Sequence, residues 1–246
     1  MDNSINIALS RLTAQQRAID VEAGNLANIS TPGYRAERMV FADWLSPQNR
    51  TTAPQGDKPL AYTQDRATYR ERAEGTITHT GNPLDLALSG DGYFTVGTQN
   101  GTRLTRAGRF TLQPDGTISD ESGNALLDTA GTPMKLAPAD TKITVTADGS
   151  ISSQNGPIGK IAVVQPADPN RMQAEGARLF TAGGATTQVA RPRLIQGAVE
   201  DSNVQPVAEL TRMMSTERSF QFTVQFVEAE SQRKQTAIDK LAAPAS

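Results

Sequence analysis

Both ends of this chain are written in heptads. Ile5, Leu9 and Leu12, then polar Gln16, then Ile19, Ala23 and Leu26 follow one another at steps of four and three. That spacing keeps side chains on one stripe of an α-helix and, sustained over three heptads, makes a seam for another helix. At the far end Leu210, Met213, Glu217, Phe220, Val224, Val227, Ser231, Lys234, Ile238 and Leu241 step the same way, and seven of these ten are apolar. Met214, Phe222 and Phe226 widen the apolar face beyond one seam, so the second helix is expected to touch more than one partner. Such stripes either dock on the chain's own body or wait for neighbours, and spacing alone leaves both open.

Each stripe has start and stop signals. Asp2 or Ser4 can cap the first, and Asn25, Asn28, Ser30, Thr31, Pro32, Gly33 and Tyr34 follow it as residues that end helices and build turns. Ser202 or Asn203 can cap the second, with Gln205 three residues after Ser202 and Pro206 in the first turn, where a missing N–H does little harm.

Between the helices the period changes. SPQNRTTAPQGDKPL, from Ser46 to Leu60, is polar and Pro-bearing and reads as a linker or irregular loop. Then LDLALSGDGYFTV, TRLTRAGRFTL, GTISDESGNALL, KITVTADGSIS and GKIAVVQP each offer strand-like runs separated by turn residues, with no helical crossover between them. TLQPDGTIS from Thr111 and TVTADGSIS from Thr144 share strand, Asp-Gly and strand at equal spacing, which predicts two similar hairpins in one antiparallel β domain. The fold expected is α+β. An N-terminal helix over 1–35 and a return segment and helix over 191–246 form a helical domain, 36–78 is an extended linker or β connection, and 79–190 is the β domain.

Composition removes several kinds of chemistry. The 24 basic and 26 acidic residues nearly cancel without a basic block, so nucleic acid is not an expected partner. Without cysteine there is no disulfide, thiolate metal site or cysteine nucleophile. No run of 18 apolar residues predicts a membrane span, and MDNSINIALSRLTAQQR lacks a secretory leader's basic and apolar regions. Asp91, Asp115 and Asp148 are the carboxylates to test for hydrolysis, but each precedes glycine and reads as a turn residue. His79 is the single histidine, too little for a zinc site, and no G-x-S-x-G or phosphate-binding glycine loop is present. No cofactor, metal or catalytic residue is expected.

NLANISTPGY, following the first heptad helix, resembles the signature of the bacterial flagellar rod and hook family, where a helix ends in Asn-x-x-Asn, Thr and Gly-Tyr or Gly-Phe. SNVQPVAELTRMMSTERSFQ is similar to that family's C-terminal helix, and EGTITHTGNPLDLALSGDGYFTV and LTRAGRFTLQPDGTISDESGNALL resemble its rod members' β region. Asn25, Asn28, Thr31, Gly33, Tyr34, Ser202, Asn203 and Val204 carry the family motif. Gly24 departs from it, standing where relatives commonly have asparagine.

The resemblance implies a structural subunit of the proximal rod, the distal rod being the near alternative. It implies terminal helices paired as a coiled coil, lining a tube and transmitting torque across the periplasm. Ile5, Leu9, Leu12, Ile19, Leu26, Leu210, Met213, Phe220, Val224, Val227, Ile238 and Leu241 would form the assembly interface. Partners would be copies of the chain, neighbouring proximal- and distal-rod proteins and the flagellar export apparatus, without membrane insertion or a cleaved signal peptide. Ordering long helices costs about 1 to 2 kcal/mol per residue in backbone entropy, so termini that are mobile alone and fold on assembly are expected. The rival readings are a periplasmic polysaccharide hydrolase using the three aspartates and an adhesive β protein with coiled-coil ends.

Overall fold

The computed structural model describes residues 2–46, 60–176 and 178–242, with side chains described over 5–40, 68–169, 171–176 and 178–240. The chain divides into two compact units, one of residues 1–27, 37–70 and 205–246, the other of 28–36 and 71–204.

The first unit contains helix α1 (Asp2–Ala27), strands β1 (Glu37–Ser46) and β2 (Leu60–Arg70), and helix α2 (Pro206–Ala242). β1 and β2 form an antiparallel hairpin from Glu37 opposite Arg70 to Ser46 opposite Leu60, with a bulge between Val40 and Phe41. α1 packs on α2 and on both strands. Of the stretch expected as a linker, 46–60, Ser46 ends β1, Leu60 opens β2 and 47–59 lies outside the described residues, as do the side chains of Asp2 and Ser4 expected to cap α1. Pro206 occupies the first position of α2, where its fixed φ suits the helix.

The second unit holds β3 (Ile77–His79), β4 (Leu86–Leu88), β5 (Tyr93–Thr98), β6 (Gly101–Thr105), β7 (Phe110–Leu112), β8 (Ile118–Asp120), β9 (Ala125–Leu126), β10 (Ile143–Val145) and β11 (Ser150–Ser153). It continues with β12 (Gly156–Lys160), β13 (Val163–Pro166), β14 (Gln173–Glu175), β15 (Leu179–Thr181), β16 (Thr186–Gln188), β17 (Leu194–Gln196) and β18 (Ala198–Glu200). The largest sheet runs β14-β15-β6-β5-β9-β8-β7, with β13 bridging β5 to β16; β10-β11-β12, β17-β4 and β18-β3 are smaller sheets. Every described pairing is antiparallel, so the architecture is α+β.

The two Asp-Gly segments turn between β7 and β8 and between β10 and β11, with Leu112 opposite Ile118 and Val145 opposite Ile151. Alternation sends Phe94, Val96, Phe110, Ile118, Leu126, Ile151, Ile161 and Val163 into one core, where the Phe94 and Phe110 rings meet edge to face at 5.5 Å.

Candidate assembly site on the terminal helices

Three side-chain bonds fix how α1 and α2 meet. Gln15 Nε2 donates to Ser219 Oγ (2.7 Å), the Thr216 hydroxyl donates to Glu22 Oε1 (3.1 Å), and Asn25 Nδ2 donates to Glu209 Oε2 (3.3 Å). Rising numbers on α1 meet falling numbers on α2, so the helices are antiparallel. The buried residues of α1 are Ala8, Ala14, Gln15, Ala18 and Asn25. Four of these, Ala8, Gln15, Ala18 and Asn25, fall on a three-and-four stripe of their own, beside the one formed by the larger side chains. Small residues let two helix backbones approach closely, and polar ones then find partners across the gap.

The seam residues singled out in the sequence are less buried than these. Leu9 is 58% exposed, while Ile5, Leu12, Ile19 and Leu26 are half-buried. On α2, Met213, Phe220, Val224 and Val227 are half-buried, Leu210 and Ile238 are exposed, and the side chain of Leu241 lies outside the described residues. Val207, Met214, Phe222 and Phe226 are also exposed, at 77%, 53%, 70% and 48%. These aromatic and aliphatic groups stand largely in solvent. A groove of about 550 Å³ between the helices is lined by Ile7, Ala8, Arg11, Ser219, Phe222, Thr223 and Phe226.

Asn25, a motif residue, is fully buried at the C-terminal end of α1. Its Oδ1 accepts the Glu37 N–H (2.8 Å) and its Nδ2 donates to the Glu37 carbonyl (2.9 Å), so the side chain pairs with β1 as a neighbouring backbone would. The same Nδ2 reaches Glu209, a buried carboxylate also bound by Arg38 Nη2 at 2.6 Å and Arg212 Nη1 at 2.7 Å. Burial pushes the Glu209 carboxyl up, but the bonds from Arg38 and Asn25 outweigh it and leave the group below its ordinary range. Glu22 goes the other way. Burial raises it, the Thr216 hydroxyl only partly compensates, Glu209 adds repulsion, and among the described residues its Oε2 has no hydrogen-bond partner.

The remaining motif residues gather in the second unit. Thr31 donates to Asn28 Oδ1, and the Thr31 N–H caps the Asn28 carbonyl. Gly33 adopts φ +69°, and its N–H donates to the Glu200 carbonyl at 2.7 Å. A Cβ there would lie 2.4 Å from the Arg106 carbonyl carbon, so glycine is required by dihedral and by space. Tyr34 and Ala36 pack on Val204 and Ile29. Ser202 and Asn203 do not cap α2 as the sequence led us to expect. Ser202 Oγ accepts the Val204 N–H, while Asn203 accepts the Ala36 N–H and donates to the Ala73 carbonyl, stitching three passages of chain together. The asparagine has backbone partners farther away in sequence than a cap offers, and they hold it.

Beside this stitch lies a buried ionic cluster without a sequence signal. Arg106, 1% exposed, binds Glu200 through Nε and donates to the Gly92 and Leu88 carbonyls. Arg35 approaches the same carboxylate at 3.6 Å, and Glu200 also accepts the Gly75 N–H. Two guanidinium groups thus share one buried carboxylate.

The aspartates tested for hydrolysis sit in turns. Asp115 accepts the N–H and hydroxyl of Thr117 and an ammonium proton of Lys135, which together hold its carboxyl down to about 2. Asp148 is held low by the hydroxyls of Thr146 and Ser150. Asp91 is exposed, and His79 lies exposed on β3 opposite Ala198. Among the described residues no helix is long and apolar enough to cross a membrane.

Comparison with known proteins places these features. A family model for the flagella basal body rod protein matches residues 5–35, one for the flagellar hook protein FlgE/F/G D1 domain matches 87–153, and one for the flagellar basal body rod FlgEFG protein C-terminal region matches 195–240. Together they define a class, the FlgE/F/G group of flagellar rod and hook proteins. FlgF of Caulobacter vibrioides is 31% identical over 98% of each chain, and FlgF of Mesorhizobium japonicum 32% over 98% of each. FlgG of Bacillus subtilis is 29% identical over 90% of this chain and 92% of its own. The chain belongs to the flagellar basal-body rod protein family.

Proposed function

We propose that this chain is a structural subunit of the bacterial flagellar rod and that its terminal helices join it to like and kindred subunits. The observation that carries the reading is an inversion. The side chains that α1 buries are alanines, Gln15 and Asn25, the last two bonded to α2, while Leu9, Leu210, Met214, Phe222, Phe226 and Ile238 stay exposed on the same helices. Burying a large apolar side chain contributes about 1.5 to 3 kcal/mol, so neighbours that cover this face gain substantially while a lone chain leaves that gain unused. The pair acts as a short antiparallel coiled coil whose polar side sets register and whose apolar side recruits. Ile5, Leu12, Ile19 and Leu26 on α1, with Met213, Phe220, Val224 and Val227 on α2, complete the interface.

Likeness to FlgF supports a proximal-rod position, FlgG being the distal alternative. Neighbouring rod proteins and the export apparatus are then its partners, and the periplasmic span of the basal body its location. Its output is rigidity under torque, not turnover. The test is Leu12→Asp and Val224→Asp in the full chain. Incorporation into basal bodies should fail while hydrogen exchange across β4 to β13 stays unchanged, and equal damage to both would reject this division of roles.

A further inference from the structure

Two grooves meet at Phe222. One, of about 550 Å³, lies between the helices and includes Phe226 and Arg11. The other, of about 430 Å³, runs along α2 and includes Met214 and Arg218. Among the described residues neither arginine has an ion-pair partner, so each groove combines an apolar wall with an uncompensated guanidinium. An occupant that suits it brings an apolar side chain with a carboxylate next to it.

The same chain exposes such a pair. Counting along the antiparallel helices from Gln15 opposite Ser219, Asp2 falls opposite about residue 232, so the described part of α1 does not reach alongside Ile238. Ile238 is 58% exposed. Adjacent Asp239 is exposed and takes only one described bond, from Gln235 Nε2 at 3.0 Å. Among the described residues, the large exposed apolar side chains of the helices outside the two grooves are Leu9, Val207, Leu210 and Ile238. Only Ile238 has a carboxylate beside it that no arginine already holds, since Glu209 next to Leu210 is taken by Arg38 and Arg212.

We infer that the Ile238–Asp239 end of α2 seats in the Phe222 groove of a second copy of this chain, Ile238 against Phe222 and Phe226 and Asp239 against Arg11. This rests on the rod-subunit reading and names the contact it uses. Knob and groove are different surfaces of one molecule, so the contact is heterologous, and repeated contacts of that kind build an open helix when the rotation does not close.

The chain contains no cysteine, which makes crosslinking clean. Thr223→Cys and Ile238→Cys would stand about 22 Å apart along one helix, too far for a disulfide within a molecule. Full-length chain carrying both, expressed in cells lacking the native copy, should give a ladder of disulfide-linked multimers in isolated basal bodies, with no ladder from either single variant. Asp239→Arg in that background should cut the ladder at least tenfold, and adding Arg11→Asp should restore it. Assembled, motile rods without the link, or a link to a different protein, would overturn the contact while leaving the rod role standing. Absence of the wild-type chain from basal bodies would instead defeat the rod role. If the cysteine pair blocks assembly, the charge swap decides through motility, and Arg11→Asp failing to rescue Asp239→Arg overturns the contact.

Discussion

Replacing Asn25 separates shape from charge in the helix pair. In Asn25→Ala the Glu37 N–H and carbonyl both lose their partner inside the first unit, and Glu209 loses one donor. A stranded buried polar group costs about 1 to 3 kcal/mol, so two put the loss at about 2 to 6 kcal/mol. Asn25→Asp keeps nearly the same shape and an acceptor for the Glu37 N–H. It removes the donor to the Glu37 carbonyl, however, and sets a carboxylate where Nδ2 now lies 3.3 Å from Glu209 Oε2. Two like charges 4 Å apart repel by about 4 kcal/mol at an effective dielectric of 20, and Arg38 and Arg212, already bound to Glu209, offset part of it. The aspartate should therefore be worse than alanine at neutral pH and recover as acid protonates it. Hydrogen exchange of the Glu37 amide, with urea unfolding of α1 and α2 followed by circular dichroism at two pH values, measures both. Equal stability of the two variants at pH 7, or Glu37 protection unchanged in Asn25→Ala, would refute the reasoning.

Glu200→Gln leaves Arg106 and Arg35 buried without their shared carboxylate and should destabilise the β unit by about 3 to 5 kcal/mol, read as lost exchange protection across β4 to β8. Glu22 has a raised carboxyl, so its contribution to the helix pair is fully present below the ordinary value of 4.5 and is lost as pH rises through the raised one. Glu22→Gln should stabilise the pair at pH 7 and flatten that part of the melting profile, and an unchanged profile contradicts the assignment. Gly24 lies inside α1, and a Cβ on it would meet nothing within 4 Å, so Gly24→Ala should raise stability by about 0.5 to 1 kcal/mol in the same melts.

Much of this was legible because it was local. Three-and-four spacing marked both helices, and Asp-Gly at matched offsets marked both hairpins, since a type of turn and a helical period are each fixed by a few adjacent residues. Which stripe of α1 faces α2 was not legible. Two stripes on that helix share the same period, and the one that buries Ala8, Gln15, Ala18 and Asn25 carries no large side chain to mark it. The stretch 36–78 read only as an extended linker or β connection, because β1 and β2 are separated by a long polar, Pro-bearing segment instead of a two-residue turn. Nothing local marks Glu209, Arg106 or Glu200, because burial of an ion depends on partners 90 or more residues away in the case of Arg106 and Glu200. Asn203 looked like a cap for the same reason: its partners, Ala36 and Ala73, are distant in sequence.

Covalent footprinting of side chains, on the free chain and on chain within basal bodies, goes straight to whether the exposed helix faces await neighbours. Leu210, Met214, Phe222, Phe226 and Ile238 should label strongly in the free chain and fall silent in the rod, while Leu112, exposed on the β unit, serves as the reference. Labelling of those helix residues that is as strong in the rod as in solution would contradict assembly through these faces.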